Sequence, residues 1–513
     1  MTMDRRRSLS APANSAVSPP LRQSWAWRLF SLPLVLGLLL IFVLFSSGAS
    51  RSLADPDIWW HLRNASDLLH ARHFVRVDTW TFTVAGQPRV NFEWLAELGL
   101  YGAYHWFGNL GLYWEMMLLS SAIILGVFGL CWMRSRDWVA AFLASLVAVE
   151  FSVVSLAPRT LLYGWLFLVV ELAILWGVRE GRDHTAWLPL LFCVWINAHG
   201  SWFIGFALMI LFFACGWIEG EWGRVYATRW SSQQKRKFLL VTAASCAALA
   251  INPYGWRMVA YPFDVAFRQK GTLDYITEWA SLNLHASLGK EVLAILLGFA
   301  VLQLLRPRRW PLEDLLFAMI AVYGAFTYVR FVYLAGILIA PLLAIDLKFG
   351  IAADANQAPR RLRGAFAVAS VILLALTATE VPTARQLQAG IAAYFPQQAV
   401  PYLQSISGEG NLFNEFNWGG YLEWEVPQVK TFIDPRVDIF VHLGVMQDYA
   451  QAVYGQKTFA VLDKYDIRYA LLRQGSPMAY LLQHNAGWKV TWQDQKALVL
   501  ERVQALPGVS AIR

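Results

Sequence analysis

The sequence predicts a polytopic α-helical membrane protein that ends in a small α/β domain. Three observations carry this. Of 513 residues, 57% are hydrophobic and only 15% charged, a balance typical of integral membrane chains. The apolar residues gather in runs of about 20, the length a helix needs to cross roughly 30 Å of hydrocarbon. Beyond residue 381 the composition becomes that of an ordinary soluble chain, with short strand-like and helical stretches in alternation.

The net charge of +8 does not mark a nucleic-acid binder, because Lys and Arg collect in short segments between apolar runs. Many of the 25 Trp flank those runs, as interfacial anchors do. Cys131, Cys193, Cys215 and Cys246 lie in apolar stretches without ligand-like spacing and read as packing residues.

Residues 1–24 are polar, with Arg5-Arg6-Arg7 and a Ser/Ala/Pro stretch, and are expected to form a disordered cytoplasmic tail. The next run is long enough to span, and no small-residue cleavage site clearly follows it. It therefore reads as an uncleaved first helix and not as a signal peptide. A membrane domain is expected over residues 25–381, with spans near 29–47, 110–133, 138–156, 161–178, 186–199, 202–219, 238–251, 290–305, 312–328, 331–346 and 365–381, about eleven in all. Trp94–Phe107 is also apolar, but Glu93, Glu97 and His105 interrupt it, which suits an amphipathic helix on the membrane surface.

Orientation follows from the basic clusters. With the N-terminus inside, the inner connections hold Arg134/Arg136, Arg179/Arg182, Arg224 to Lys237, Arg306/Arg308/Arg309 and Lys348 to Arg363. Counting Trp94–Phe107 as a span would spoil this agreement. The same rule places the long loop 48–109 and the domain 382–513 on the outer face. In that domain, strands are expected at Val429–Ile433, Arg468–Leu472, Trp488–Trp492 and Ala497–Leu500, with helices between them. The membrane part shows no internal repeat, so transporter architectures built from inverted repeats receive little support.

Candidate chemistry begins at Ala54-Asp55-Pro56-Asp57-Ile58-Trp59-Trp60-His61, directly after the first apolar run. Carboxylates are expensive in lipid, so this cluster reads as a site facing water beside the bilayer. The bland alternative is an interfacial turn, since Trp favours headgroups and Asp-Pro-Asp is good turn chemistry. Further polar groups fall on the same face: Arg159, Asn197 and His199, the stretch Asn252 to Arg257, Glu278 and Arg330. A charge at a helix centre costs roughly 2.5–3.5 kcal/mol, so Arg159 and Arg330 are expected to face a cavity or a headgroup, with snorkelling as the competing account.

The acidic pair Asp55-Pro56-Asp57 in the first outer loop, the surface helix opening at Asn91-Phe92-Glu93-Trp94-Leu95, the many spans and the outer C-terminal domain together resemble the GT-C superfamily of glycosyltransferases. These enzymes use polyprenyl-phosphate-linked sugars and include protein mannosyltransferases, aminoarabinose transferases of lipid A and oligosaccharyltransferase catalytic subunits. The likeness covers most of the membrane part by layout, and the acidic motif residue by residue. Phe413 to Tyr421 resembles loosely the oligosaccharyltransferase Trp-Trp-Asp-Tyr-Gly region, but Asn417-Trp418-Gly419-Gly420-Tyr421 lacks its central Asp, so sequon recognition does not carry over.

The resemblance implies an inverting transfer of sugar from a polyprenyl-phosphate donor to a glycan, lipid or protein acceptor, on the outer face of a bacterial inner membrane. Such a transfer needs a base beside the acceptor hydroxyl, worth about 10²–10⁴-fold, and cations near the departing phosphate. Asp55 or Asp57 is the expected base, with the other carboxylate orienting the acceptor or binding a metal. Arg159, Arg257 and Arg330 are candidates for the donor phosphate. Trp59, Trp60, His61, Glu93, His199 and Glu278 are candidates for the substrate pocket. On the acceptor side stand Trp418, Tyr421, Asp434, Arg436 and Asp438, although Asp434, Arg436 and Asp438 also suit an Asp-Arg network internal to the domain. A divalent metal, Mg or Mn, is compatible with the two carboxylates, but no ligand spacing demands one. Two other readings use the same features: a transporter or flippase of lipid-linked glycan, and a non-catalytic envelope assembly protein.

Overall fold

The computed structural model describes residues 30–47, 53–267, 275–349 and 360–503. The expected tail 1–24 lies outside them. In chain order the helices of the apolar part are α1 (Leu32–Ser46), α2 (Asp57–Ala71), α3 (Trp94–Ser135), α4 (Trp138–Ser152), α5 (Leu161–Arg179), α6 (Leu188–Ala198), α7 (Trp202–Cys215), α8 (Ser232–Ala248), α9 (Trp256–Phe267), α10 (Ser287–Leu305), α11 (Leu312–Thr327), α12 (Val332–Asp346) and α13 (Arg360–Glu380). Each of the eleven expected spans falls on one of these helices. Six are long and apolar enough to cross a membrane, and the chain is a multi-pass helical membrane protein.

Helix α12 is apolar on every side, the pattern of a helix surrounded by others, and it sits centrally. In its most apolar window 72% of residues are buried, against 11% for α13 at the periphery. Gly336 admits α4 at close range, since a Cβ there would stand 3.1 Å from Phe151 Cβ. α3 is one helical run broken at Gly108 (φ 58°, ψ −142°), a backbone state that glycine reaches at little cost. The break separates the arm 94–107, with Trp106 and Phe107 exposed at its end, from the apolar arm 109–135.

One end of the bundle is pinned by ion pairs: Arg134 to Asp314, Arg179 to Glu313 and Arg308 to Asp346. The opposite end carries α2, the arm 94–107 and the C-terminal region. That region holds α14 (Ala384–Tyr394), α15 (Val400–Ser405), α16 (Gly419–Glu425), α17 (Val437–His442), α18 (Val445–Val453), α19 (Thr458–Lys464) and α20 (Pro477–Gln483) around a four-stranded sheet. With β1–β3 forming a small separate sheet (Gly220–Trp222, Val225–Ala227, Trp310–Pro311), the C-terminal strands are β4 (Asn411–Asn414), β5 (Ile467–Arg473), β6 (Trp488–Gln493) and β7 (Ala497–Arg502). Their order is β4-β5-β7-β6, with β4 parallel to β5 and the other pairs antiparallel.

One expected strand is corrected. Residues 429–433 do not join the sheet: their backbone bonds go to the loop after α2, to the Asn414 side chain and to Val426 O. Phe82 N donates to Thr431 O (3.2 Å), and Thr431 N donates to Trp80 O (3.3 Å). The place in the sheet is taken by β4, whose last two residues, Phe413 and Asn414, open the aromatic motif. Val84 of the same loop is buried in the C-terminal core beside Phe413 and Phe432. The first outer loop is thus folded into the C-terminal region by both hydrogen bonds and apolar packing.

Candidate active site

Helix α2 begins where Pro56 sets the backbone and Asp57 opens the first turn, a favourable place for a carboxylate at the positive end of the helix dipole. Asp55 Oδ1 accepts the Asp57 N–H at 2.9 Å, which fixes the two carboxylates relative to each other. Arg159, on the turn before α5, donates through Nε to Asp55 and through Nη1 to Glu278, while its Nη2 lies 3.6 Å from Asp57 Oδ2. Burial pushes the Asp55 carboxyl up, and Arg159 only partly offsets this. Burial acts the same way on Glu278, but Arg159 and Arg330 outweigh it and hold that carboxyl below its usual range. Asp57 takes one bond, from Trp60 Nε1 at 3.1 Å, and its side chain is 27% exposed against 8% for Asp55. Asp57 is therefore the more open member of the pair.

One turn further along α2, His61 Nδ1 meets Glu97 Oε1 at 2.9 Å. The same carboxylate accepts from Asn64 (2.8 Å) and, through Oε2, from Asn91 (2.7 Å). His61 Nε2 lies 3.6 Å from Glu93 Oε2, and His199 Nε2 lies 3.3 Å from Glu93 Oε1. All four of these acidic and imidazole side chains are buried. Burial raises the Glu93 carboxyl to about 7, with His61 opposing and Glu97 reinforcing the shift. Burial disfavours the His61 cation, but Glu97, Glu93 and Asp57 outweigh it and raise its pKa.

Among the described residues, the compact group able to hold a metal ion is His61, Glu93 and Glu97. The Asp55 and Asp57 carboxylates are engaged by Arg159, Trp60 and the backbone N–H of Asp57. Arg330 is half-buried, with its guanidinium 5.5 Å from the Trp279 ring centroid, and makes no hydrogen bond or ion pair with a described residue. Arg257 is exposed at the start of α9 and likewise touches no described carboxylate, so the structure does not bring it into the cluster.

Other expected site residues are packed away. Trp59 is 2% exposed, set edge-on to Phe395 (5.6 Å) and Tyr421 (5.1 Å), so it packs α2 against α16 and the residue that follows α14. Trp418 is buried and donates to Tyr394 O (3.1 Å). Asp434 and Arg436 form a sealed fork at 2.7 and 2.5 Å, and Arg436 Nη2 also reaches Asp78 Oδ1 at 2.8 Å. Burial opposes both charges there, and their mutual attraction wins, holding Asp434 below and Arg436 above the usual range. Arg436 and Arg89 each stand 4.2 Å from the Trp80 ring centroid, and Arg89 donates to Asn64. Asp438 is half-buried and accepts from Tyr261 at 2.6 Å. Asp434 and Arg436 are thus the internal network that the sequence allowed for, extended to the first outer loop.

Sequence reasoning missed Glu97, Asn64, Asn91, Arg89, Trp80 and Asp78. A signal was present for some of them. Asp57/His61 and Glu93/Glu97 are spaced four apart and His61/Asn64 three apart, which puts each pair on one helix face.

No family model matches the chain, and no curated protein matches its sequence. Solved structures do match. The oligosaccharyltransferase of Archaeoglobus fulgidus, tethered to an acceptor peptide containing the NVT sequon, superposes with a TM-score of 0.53 at 13% identity, over 88% of this chain and 69% of that one. The same archaeal enzyme, AglB, in complex with an inhibitory peptide and a dolichol-phosphate, gives 0.51 at 13% identity over 87% and 69%. A looser likeness, 0.48 at 15% identity over 93% and 99%, is to ArnT from Cupriavidus metallidurans bound to undecaprenyl phosphate. The two archaeal matches show that the chain has a GT-C-type glycosyltransferase fold.

Proposed function

We propose that the protein is a membrane glycosyltransferase that moves a sugar from a polyprenyl-phosphate-type donor to an acceptor on the outer face of a bacterial inner membrane. In this reading the chain crosses the bilayer about eleven times, with the N-terminus cytoplasmic and residues 382–513 outside. The observation that carries the proposal is the state of the carboxylate pair. Asp55 is committed to Arg159, whereas Asp57, at the head of α2, keeps an open face toward water. Asp57 is accordingly the base that takes the acceptor hydroxyl proton, in a displacement that inverts the sugar carbon. Asp55 and Glu278 hold Arg159 beside it, and Arg330, free of ion pairs with described residues, receives the donor phosphate. The donor class is supported by the dolichol-phosphate bound in the archaeal structure.

The test begins with mass spectrometry of lipid-linked sugars that accumulate in cells lacking the protein. The purified chain is then placed in proteoliposomes with that lipid extract and an outer-membrane acceptor fraction. Release of free polyprenyl phosphate, with labelled acceptor, is the expected result. Intact lipid-linked sugar moved across the bilayer without bond cleavage would replace the proposal by a flippase.

A further inference from the structure

The C-terminal region meets the first turn of α2 through a glycine. Helix α16 opens on Gly419-Gly420, and neither residue has a positive φ, so the backbone conformation does not demand glycine at either place. Space does. A Cβ on Gly420 would stand 3.1 Å from Pro56 O, 3.3 Å from Trp60 N and 3.4 Å from Trp60 Cβ. Those atoms bracket Asp57, and the Asp57 carboxylate accepts from Trp60 Nε1 at 3.1 Å. A Cβ on Gly419 would stand 2.6 Å from Asp434 Cα, against the sealed Asp434–Arg436 pair.

The rest of α16 is fastened on several sides. Toward α2, Tyr421 lies edge-on to Trp59 (5.1 Å), and Arg63 Nη1 donates to Glu423 O (3.1 Å). Toward the other elements, Trp418 Nε1 donates to Tyr394 O (3.1 Å) and Thr431 Oγ1 donates to Glu423 Oε1 (2.8 Å). Trp424 stands edge-on to Tyr104 of the arm 94–107, with ring centroids 5.5 Å apart. Held in this way, α16 has little slack with which to retreat, and close-packed interiors transmit strain instead of absorbing it. An atom added at Gly420 therefore displaces the turn that carries Asp57.

We infer that Gly420 is a positioning residue for Asp57: its missing side chain lets α16 seat against the first turn of α2 and so sets where the carboxylate stands. The inference rests on the transferase reading of Asp57, and it gives the segment 417–421 the work of supporting the base. A misplacement of about 1 Å costs on the order of 10²-fold in rate. A Cβ at 3.1–3.4 Å is relieved by a shift of a few tenths of an ångström, so a loss of about tenfold is expected.

The test compares Gly420→Ala and Gly420→Val with Gly390→Ala, a control at which an added Cβ meets nothing within 4 Å. Each full-length chain, in proteoliposomes, receives the same lipid extract and acceptor fraction as the transfer assay. The rate at saturation, per chain shown by its melting curve to be folded, is read separately from the amount of extract that gives half-saturation. Gly420→Ala should lower the saturated rate about tenfold and Gly420→Val should lower it further, with half-saturation within about twofold of wild type. Gly390→Ala should match wild type in both. A purely structural role would leave the rate per folded chain unchanged. Should neither Gly420 variant fold, Arg63→Gln decides: it frees the other end of α16 without adding an atom to the turn, and should lower the saturated rate about two- to tenfold, the range of one net hydrogen bond. A saturated rate within less than about twofold of wild type, or a loss that appears in half-saturation and not in the rate, overturns the inference. Asp57→Asn is run alongside. Full transfer by that variant removes the transferase reading itself, whereas its failure beside a normal Gly420→Ala removes this inference alone.

Discussion

Two arginine-carboxylate clusters lie at the same end of this molecule and differ mainly in their access to water. Around Arg159, Asp55, Asp57 and Glu278 have side chains 8%, 27% and 25% exposed. Around Arg436, Asp78 and Asp434 are sealed at 0%, and an indole covers the guanidinium. In sequence both regions are short acidic motifs near aromatic residues and proline. Burial separates their roles: a sealed pair can hold two parts of the chain together, while only an open carboxylate can take a proton from an incoming hydroxyl.

That contrast can be broken from either side. The largest effect is expected from Asp57→Asn. Cells relying on it should accumulate the lipid-linked sugar seen without the protein, with transfer down about 10²–10⁴-fold and an unchanged melting temperature. Next comes Arg436→Ala, which strands buried carboxylates and should cost about 3–5 kcal/mol of stability. Thermal melting and limited proteolysis in detergent would register it, with cleavage appearing in the loop 76–89 as that loop leaves the C-terminal core. Arg330→Gln should weaken competition by polyprenyl phosphate about 10–100-fold, the worth of a charged hydrogen bond of roughly 1.5–3 kcal/mol, without altering stability. Arg257→Ala, on an exposed residue outside both clusters, should change transfer by less than about twofold, as surface substitutions usually do.

The sequence made the helical framework legible because spanning helices are written as local composition. Even the break at Gly108 lies where polar residues had already set Trp94–Phe107 apart from the span that follows. The strands were less legible. Residues 429–433 have the apolar character of a strand, but their partner is a loop about 350 residues earlier in the chain, as the Thr83–Phe432 bond illustrates. The site was legible as a set of residue types and not as a set of partners. Arg159 meets Asp55 and Glu278 across 104 and 119 residues, so no local pattern could tell that its donors are spent on carboxylates. Glu97 registered only as an interruption in an apolar run, whereas in the fold it orients His61. Trp59, a candidate for the substrate pocket, and Trp418, a candidate on the acceptor side, are both buried, because an indole serves equally well as a large packing surface.

The account stands most directly on Asp57 being open to outside water while Asp434 is closed. Right-side-out membrane vesicles treated with a water-soluble carbodiimide and a charged, impermeant amine, followed by peptide mass spectrometry, read this in one experiment. The expected result is modification at Asp57 with none at Asp78 or Asp434. An unmodified Asp57 in intact vesicles that becomes labelled only once they are opened would put the carboxylate on the wrong side and contradict the account.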